Sequence, residues 1–175
     1  MDYALTGSDI LQNATIPNSK LMIYKDIHKY SSIDELFGDY DGIFILYETS
    51  PNVGHWTLLF RIGDKIEFYD SYNHKPDEQF EFIDDHIKNT RNMNYPYLVS
   101  LLLKYVENGG EVHYNEFKLQ AEGGNIATCG RHCLIRLMWR GLPIKQYYHL
   151  LKDLKAAMGV KSFDEVVLAL TDDIG

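Results

Sequence analysis

The sequence predicts an α+β domain, on three observations. An almost unbroken apolar run, GIFILYE (42–48), is followed by two amphipathic stretches, HWTLLFR (55–61) and KIEFYD (65–70). Further on, apolar residues recur at helical spacing: Leu134, Leu137 and Met138, then Ile144, Tyr147, Tyr148, Leu151 and Leu154. The two periodicities are segregated along the chain instead of alternating one for one. The order reads helix, β-meander, helices, strand, helix, helices, which is the α+β pattern.

Taken in order, Thr6-x-x-Asp9 and Ser32-x-x-Glu35 have the form of capping boxes and predict short helices over 7–12 and 32–37. GIFILYE has no polar alternation, so it predicts a central strand buried on both faces. Gly63-Asp64 joins 55–61 to 65–70 as a two-residue hairpin. Residues 78–91 and 95–107 read as helices, the second stopped by Gly109-Gly110. EVHYNEFKL (111–119) alternates and reads as a strand. A Gly-rich loop, AEGGN (121–125), then leads into a helix over 128–140 that ends at Gly141-Leu142-Pro143. Helices over 144–157 and 162–171 follow, the last capped by Ser162 with Glu165 three residues on.

Length and composition bound the function. The 175 residues predict a single domain over 1–175 with a sizeable core. No apolar run reaches the roughly 18 residues a spanning helix needs; LVSLLL (98–103) is typical of the longest. The N-terminus, MDYALTGSDIL, lacks the basic start and apolar segment of a signal peptide. Two cysteines and no leader predict a reducing, intracellular setting without a disulfide framework, so the Asn13-Ala14-Thr15 sequon carries no weight. Seventeen basic against 25 acidic residues give a formal charge of −8. The basic clusters are pairs such as Lys152/Lys155, which argues against nucleic acid as a partner.

Both cysteines fall in IATCGRHCLIRL (126–137). Cys129 lies in the first turn of the predicted helix, where unpaired N–H groups and the helix dipole favour a thiolate and can also hold an oxyanion. Gly130 beside it removes bulk where a substrate would approach. Cys133 lies one turn deeper on the apolar side and reads as core filler. His132 between the thiols suggests a metal, but C-x-x-H-C sets it about 100° from Cys133 on a helix, and no second ligand pair has zinc spacing. No metal is predicted.

A nucleophilic thiol needs an imidazole, and the imidazole an orienting partner. His28, His74, His86 and His149 sit in polar settings and read as solvated, while His113 opens a strand and stays ambiguous. His55 stands where a loop enters an apolar strand, and the next strand ends in Phe68-Tyr69-Asp70-Ser71. The hairpin makes His55 and Asp70 cross-strand neighbours. Glu67 falls on the opposite face of its strand from Asp70.

GHW, FYDSY and Q…TCG together resemble the adenovirus-protease and SUMO-protease superfamily of cysteine proteases. GHWTLLF…FYDSYNHKP and the opening YALTGSDI are closest to the maturation proteases of virophages and Polinton-type elements. The resemblance covers about residues 3–140. It implies a papain-like fold of the adenain type, a mixed or antiparallel sheet flanked by helices with the nucleophile at a helix N-terminus. In this chain it assigns Cys129 as nucleophile, His55 as general base, Asp70 as the orienting acid and Trp56 as a wall of the substrate channel. The family's oxyanion glutamine lies six or seven residues before its cysteine. Here Gln120 lies nine before, with Asn125 as the substitute if the longer loop carries Gln120 away.

The resemblance further implies cleavage of capsid or scaffold proteins at Gly-containing sites, without metal or organic cofactor. The expected setting is the host cytoplasm or virus factory and the virion; an activating peptide is a further possible partner, as in adenoviral relatives. Two rivals share the scaffold. One is a ubiquitin- or SUMO-type modifier protease, which the short chain, with few insertions, disfavours. The other is an acetyltransferase or silent binding module, disfavoured by an intact triad and the lack of a cofactor-pocket feature.

Overall fold

A computed structural model describes residues 4–14, 18–78, 84–90, 95–121 and 127–174. Its elements are α1 (Gly7–Asn13), β1 (Ser19–Ile23), a 3-10 turn (Tyr24–Lys29), α2 (Ile33–Phe37), β2 (Gly42–Ser50), β3 (Val53–Ile62), β4 (Lys65–Tyr69), α3 (Asp85–Thr90), α4 (Tyr97–Glu107), β5 (Glu111–Tyr114), α5 (Cys129–Met138), α6 (Ile144–Met158) and α7 (Phe163–Leu170). Among the described residues, the strands form one sheet in the order β1-β2-β3-β4-β5. The inner pairs are antiparallel, while β1/β2 and β4/β5 are parallel. The fold is α+β with a mixed sheet flanked by helices. No helix among the described residues is long and apolar enough to cross a membrane.

The apolar run of β2 is explained by burial on both faces. Phe44 and Leu46 pack with Leu58 and Phe60 of β3 against α5, α6 and α7. Ile43, Ile45 and Tyr47 pack on the other face against α2 and α4, with Leu36, Phe37, Leu98 and Leu102. A strand covered twice has no solvent side to write in polar residues. The β3–β4 hairpin closes with Ile62 opposite Lys65, and Gly63 supplies the positive φ of 59° that the turn needs.

The capping signals also act as read. Thr6 accepts from Asp9 N at 3.2 Å while the Asp9 carboxylate accepts from Thr6 N at 2.8 Å. Ser32 and Ser162 accept from Glu35 N and Glu165 N, each at 3.1 Å. In those two helices the glutamate reaches one residue further back than a capping box requires, to Ser31 N and Lys161 N.

Two elements were not expected, and two expectations need correction. β1 and the 3-10 turn lack a local signal, because β1 is a half-buried edge strand whose conformation depends on the distant pairing Ser19↔Gly42 to Ile23↔Leu46. The strand expected over 111–119 stops at Tyr114. Asn115 folds its amide onto Phe117 N at 3.0 Å and donates to Asp70 O at 2.7 Å, an Asx turn that ends the ladder. Of the helix expected over 78–91, only Asp85–Thr90 is helical among the described residues. Asp84 accepts from His86 N at 2.8 Å and caps that start; residues 79–83 and 91 lie outside the described set.

A buried ion pair ties α5 to the sheet. Arg136 is 1 % exposed, and its Nε and Nη2 donate to the two oxygens of Glu67 on β4 at 2.8 and 2.9 Å. The guanidinium lies against the rings of Phe60 and Tyr147 and also donates to the carbonyls of Trp139 and Leu142. Glu67 thus faces α5 and is wholly engaged there, in keeping with its exclusion as the orienting acid.

Candidate active site

At the entry of β3, backbone contact fixes the position of His55. A Cβ on Gly54 would lie 2.0 Å from Tyr47 O, so the neighbouring strand leaves no room for a side chain there. Gly54→Ala is therefore expected to push β3 off β2 beside His55. Its measure is the rate at which iodoacetamide alkylates Cys129 at neutral pH, expected to fall about tenfold or more, since shifts of this kind commonly cost that much. An unchanged rate would show that His55 does not depend on that contact.

His55 Nε2 lies 2.9 Å from Asp70 Oδ1. Continuing the β3–β4 register places Thr57, not His55, directly opposite Asp70. His55 reaches the carboxylate along the diagonal, two residues over on the same face. Asp70 is fully buried, and its Oδ1 also accepts from Tyr72 N at 2.8 Å. Its backbone oxygen accepts from Asn115. The His55 ring stacks on Tyr72, centroids 4.6 Å apart. Both the imidazole and the carboxylate are thereby held from several sides.

The His55 ring also hydrogen-bonds the Cys129 side chain. With Nε2 committed to Asp70, that bond falls to Nδ1. Cys129 begins α5, and its Sγ lies 3.5 Å from Trp56 N, which donates to it. Burial raises the Cys129 pKa, yet the His55 hydrogen bond and charge and the N–H groups of Trp56 and Gly130 outweigh it, and the thiol is held below its usual range. Burial likewise disfavours the imidazolium, but the Asp70 charge and hydrogen bond, with Cys129, raise His55 to about 10. The two groups thus favour each other's charged form, thiolate on Cys129 and imidazolium on His55, which is the arrangement a nucleophile–base pair requires.

Cys133 is completely buried and its thiol is pushed well above its usual range by that burial. Its S–H donates to Trp56 O at 3.6 Å. The two thiols thus bracket the backbone of one residue, Cys129 taking the Trp56 N–H and Cys133 the Trp56 carbonyl. Gly130 faces inward rather than toward a substrate: a Cβ there would meet Ile10 Cδ1 at 3.2 Å and Leu5 and Trp56 at 3.4 Å. What Gly130 gives the site is its N–H. Trp56 lines an open cleft of about 620 Å³ with Gly7, Leu11, Lys20, Leu21 and Asn52.

Gln120 is 2 % exposed at the end of the loop that follows β5. Leu119 N and Gln120 N both donate to Ser71 O at 2.9 Å, stitching this loop to the residue after Asp70. The Ser71 hydroxyl donates to Gln120 Oε1 at 2.7 Å, which fixes the carbonyl end of the amide and turns its NH₂ the other way. Asn125 lies outside the described residues.

One histidine differs from its sequence reading, and a second has a partner that the sequence did not show. His74 is drawn in beside Asp70, with Nδ1 3.9 Å from Oδ2 and its side chain only 16 % exposed. His132 does not turn toward the thiols as a ligand; it is fully buried with Nε2 3.0 Å from Asp164 Oδ1 on α7. Neither has a local signal, because each partner is set by tertiary packing.

No family model matches the chain. A Sputnik virophage protein described as "Uncharacterized protein V9" is 37% identical over 169 residues, spanning 96% of this chain and 94% of its own. Among solved structures, the SUMO protease Ulp1 with its catalytic cysteine oxidised to a sulfinic acid covers 80% of this chain and 68% of its own, at 16% identity and a TM-score of 0.44. The central domain of an uncharacterized Legionella pneumophila protein covers 84% and 78%, at 15% identity and 0.41. The Ulp1 protease domain in complex with the yeast orthologue of SUMO covers 79% and 64%, at 16% identity and 0.39. The relative comes from a virophage, one of the sources the resemblance named. With more than a third of its residues identical across nearly the full length of both proteins, the chain belongs to the family of the virophage protein V9.

Proposed function

We propose that this chain is a viral cysteine endopeptidase that matures capsid or scaffold proteins. One observation carries the reading: a single imidazole is bonded to a buried carboxylate on one side and to the thiol that opens α5 on the other. In the proposed reaction the Cys129 thiolate attacks a peptide carbonyl. His55 then gives its proton to the leaving amine, and water hydrolyses the thioester. Backbone N–H at the start of α5 and the Gln120 amide hold the oxyanion. The virophage relative supports a viral setting, with the host cytoplasm, virus factory and virion as its places of action. A preference for Gly-containing sites is part of this reading, with Trp56 as one wall of the cleft.

The test is a digest of candidate capsid proteins analysed by mass spectrometry for new termini, with the Cys129→Ala protein as control. New termini at Gly-containing sequences, absent from the control, are expected. Cleavage confined to SUMO- or ubiquitin-type precursors would move the substrate to a folded modifier. No cleavage of any of these would overturn the reading.

The oxyanion donor is tested separately. Gln120→Ala is expected to lower kcat by about 10²–10³, as loss of one such donor does, with the melting temperature little changed. Asn125→Ala, assayed on the same peptide, should keep its activity. The reverse pattern would assign the donor to Asn125.

A further inference from the structure

Asp164, at the second position of α7, is 5 % exposed and gathers three donors from elsewhere in the chain. Its Oδ2 accepts from Ala121 N at 3.3 Å, next to Gln120. Its Oδ1 accepts from the Thr128 hydroxyl at 2.5 Å, next to Cys129, and from His132 Nε2 at 3.0 Å. The residues flanking the proposed oxyanion donor and the nucleophile thus rest on the two oxygens of one carboxylate.

Thr128 is the N-cap of α5, and a threonine there ordinarily accepts a hydrogen bond from the second or third N–H of its helix. Here no such bond exists, and the hydroxyl donates to Asp164 instead. Burial raises the Asp164 pKa, but the hydrogen bonds from His132, Thr128 and Ala121 more than offset it, so the group stays an acceptor-only carboxylate. Burial holds the His132 pKa below its usual range, so the ring is neutral, with Nδ1 buried and unpartnered and Nε2–H as its donor.

We propose that Asp164 is a positioning residue that holds the Thr128 hydroxyl away from the start of α5, keeping those N–H groups for the thiolate and the oxyanion, and that it anchors the Gln120 flank to the same point. This rests on the peptidase reading for its catalytic consequence, but its structural part stands without it. Removing the carboxylate frees Thr128 to cap Gly130 N or Arg131 N, which places a competing oxygen at the oxyanion site.

The test is a cycle of Asp164→Ala, Thr128→Val and the double variant, with Asp164→Asn in reserve should the alanine protein not fold. Amide exchange by NMR reads the structural part: in Asp164→Ala, exchange at Ala121 should speed up. Exchange at Gly130 or Arg131 should slow as the new cap forms, and return to the wild-type rate in the double variant. Peptide turnover reads the catalytic part. Asp164→Ala should lower kcat by about 10²-fold with KM little changed, and adding Thr128→Val should recover about tenfold of that loss. A double variant no better than the single would overturn the withheld-cap proposal, because a merely structural carboxylate predicts no recovery. First-turn exchange unchanged in Asp164→Ala would overturn it whether or not the wild type cleaves peptides. A wild type that cleaves nothing while exchange follows the expected pattern would refute the peptidase reading alone.

Discussion

Cys129→Ala is expected to leave no measurable turnover, and His55→Ala to cost on the order of 10⁶ in kcat, because members of a nucleophile–base pair fail as a unit. The physical reason is that each holds the other in its reactive form. Without the His55 charge, burial is the largest influence on the thiol and pushes it up. Alkylation separates this from a loss of folding. In the wild type, iodoacetamide should modify Cys129 and spare Cys133, whose thiol burial keeps protonated. That reactivity is expected at neutral pH, because the Cys129 thiol is held below its usual range while the His55 imidazolium beside it persists up to about 10. In His55→Ala it should require alkaline pH. Preferential labelling of Cys133, or a neutral-pH rate untouched by His55→Ala, would sink the ion-pair assignment.

Glu67→Ala is expected to be the most destabilising of the single substitutions considered, at about 3–5 kcal/mol, the usual cost of stripping one partner from a buried ion pair. The change leaves Arg136 at 1 % exposure with two donors unmatched, between the rings of Phe60 and Tyr147. The carbonyls of Trp139 and Leu142 remain as partners, so part of the guanidinium stays satisfied. Because Arg136 anchors the end of α5 remote from Cys129, the loss should appear as a lower denaturant midpoint at an unchanged m-value, with the alkylation rate of the remaining folded protein intact. Glu67→Met with Arg136→Met should be far less destabilising than Glu67→Ala, since an apolar pair of similar volume avoids the uncompensated charge. A single-variant cost below about 1 kcal/mol, the range of exposed pairs, would show that water reaches the pair.

By itself the sequence determined the elements with strong local chemistry. The double-sided apolar run of β2, the Gly63-Asp64 hairpin, the capped starts of α1, α2 and α7 and the stripes of α5 and α6 each carry their own signal. It also determined which residues could form a reactive site, because a thiol at a helix start and a histidine at a strand entry are chemically unusual places. Tertiary structure alone decided the rest. β1 is a strand because β2 is beside it, and β5 stops where the Asn115 amide turns back. His55 meets Asp70 by a diagonal that only the register sets. Asp164 meets Ala121, Thr128 and His132 across 32 to 43 positions of sequence. Local patterns report the free energy of one element against water. The partner of a buried polar group is set by whichever distant element covers it, and no short window of sequence contains both.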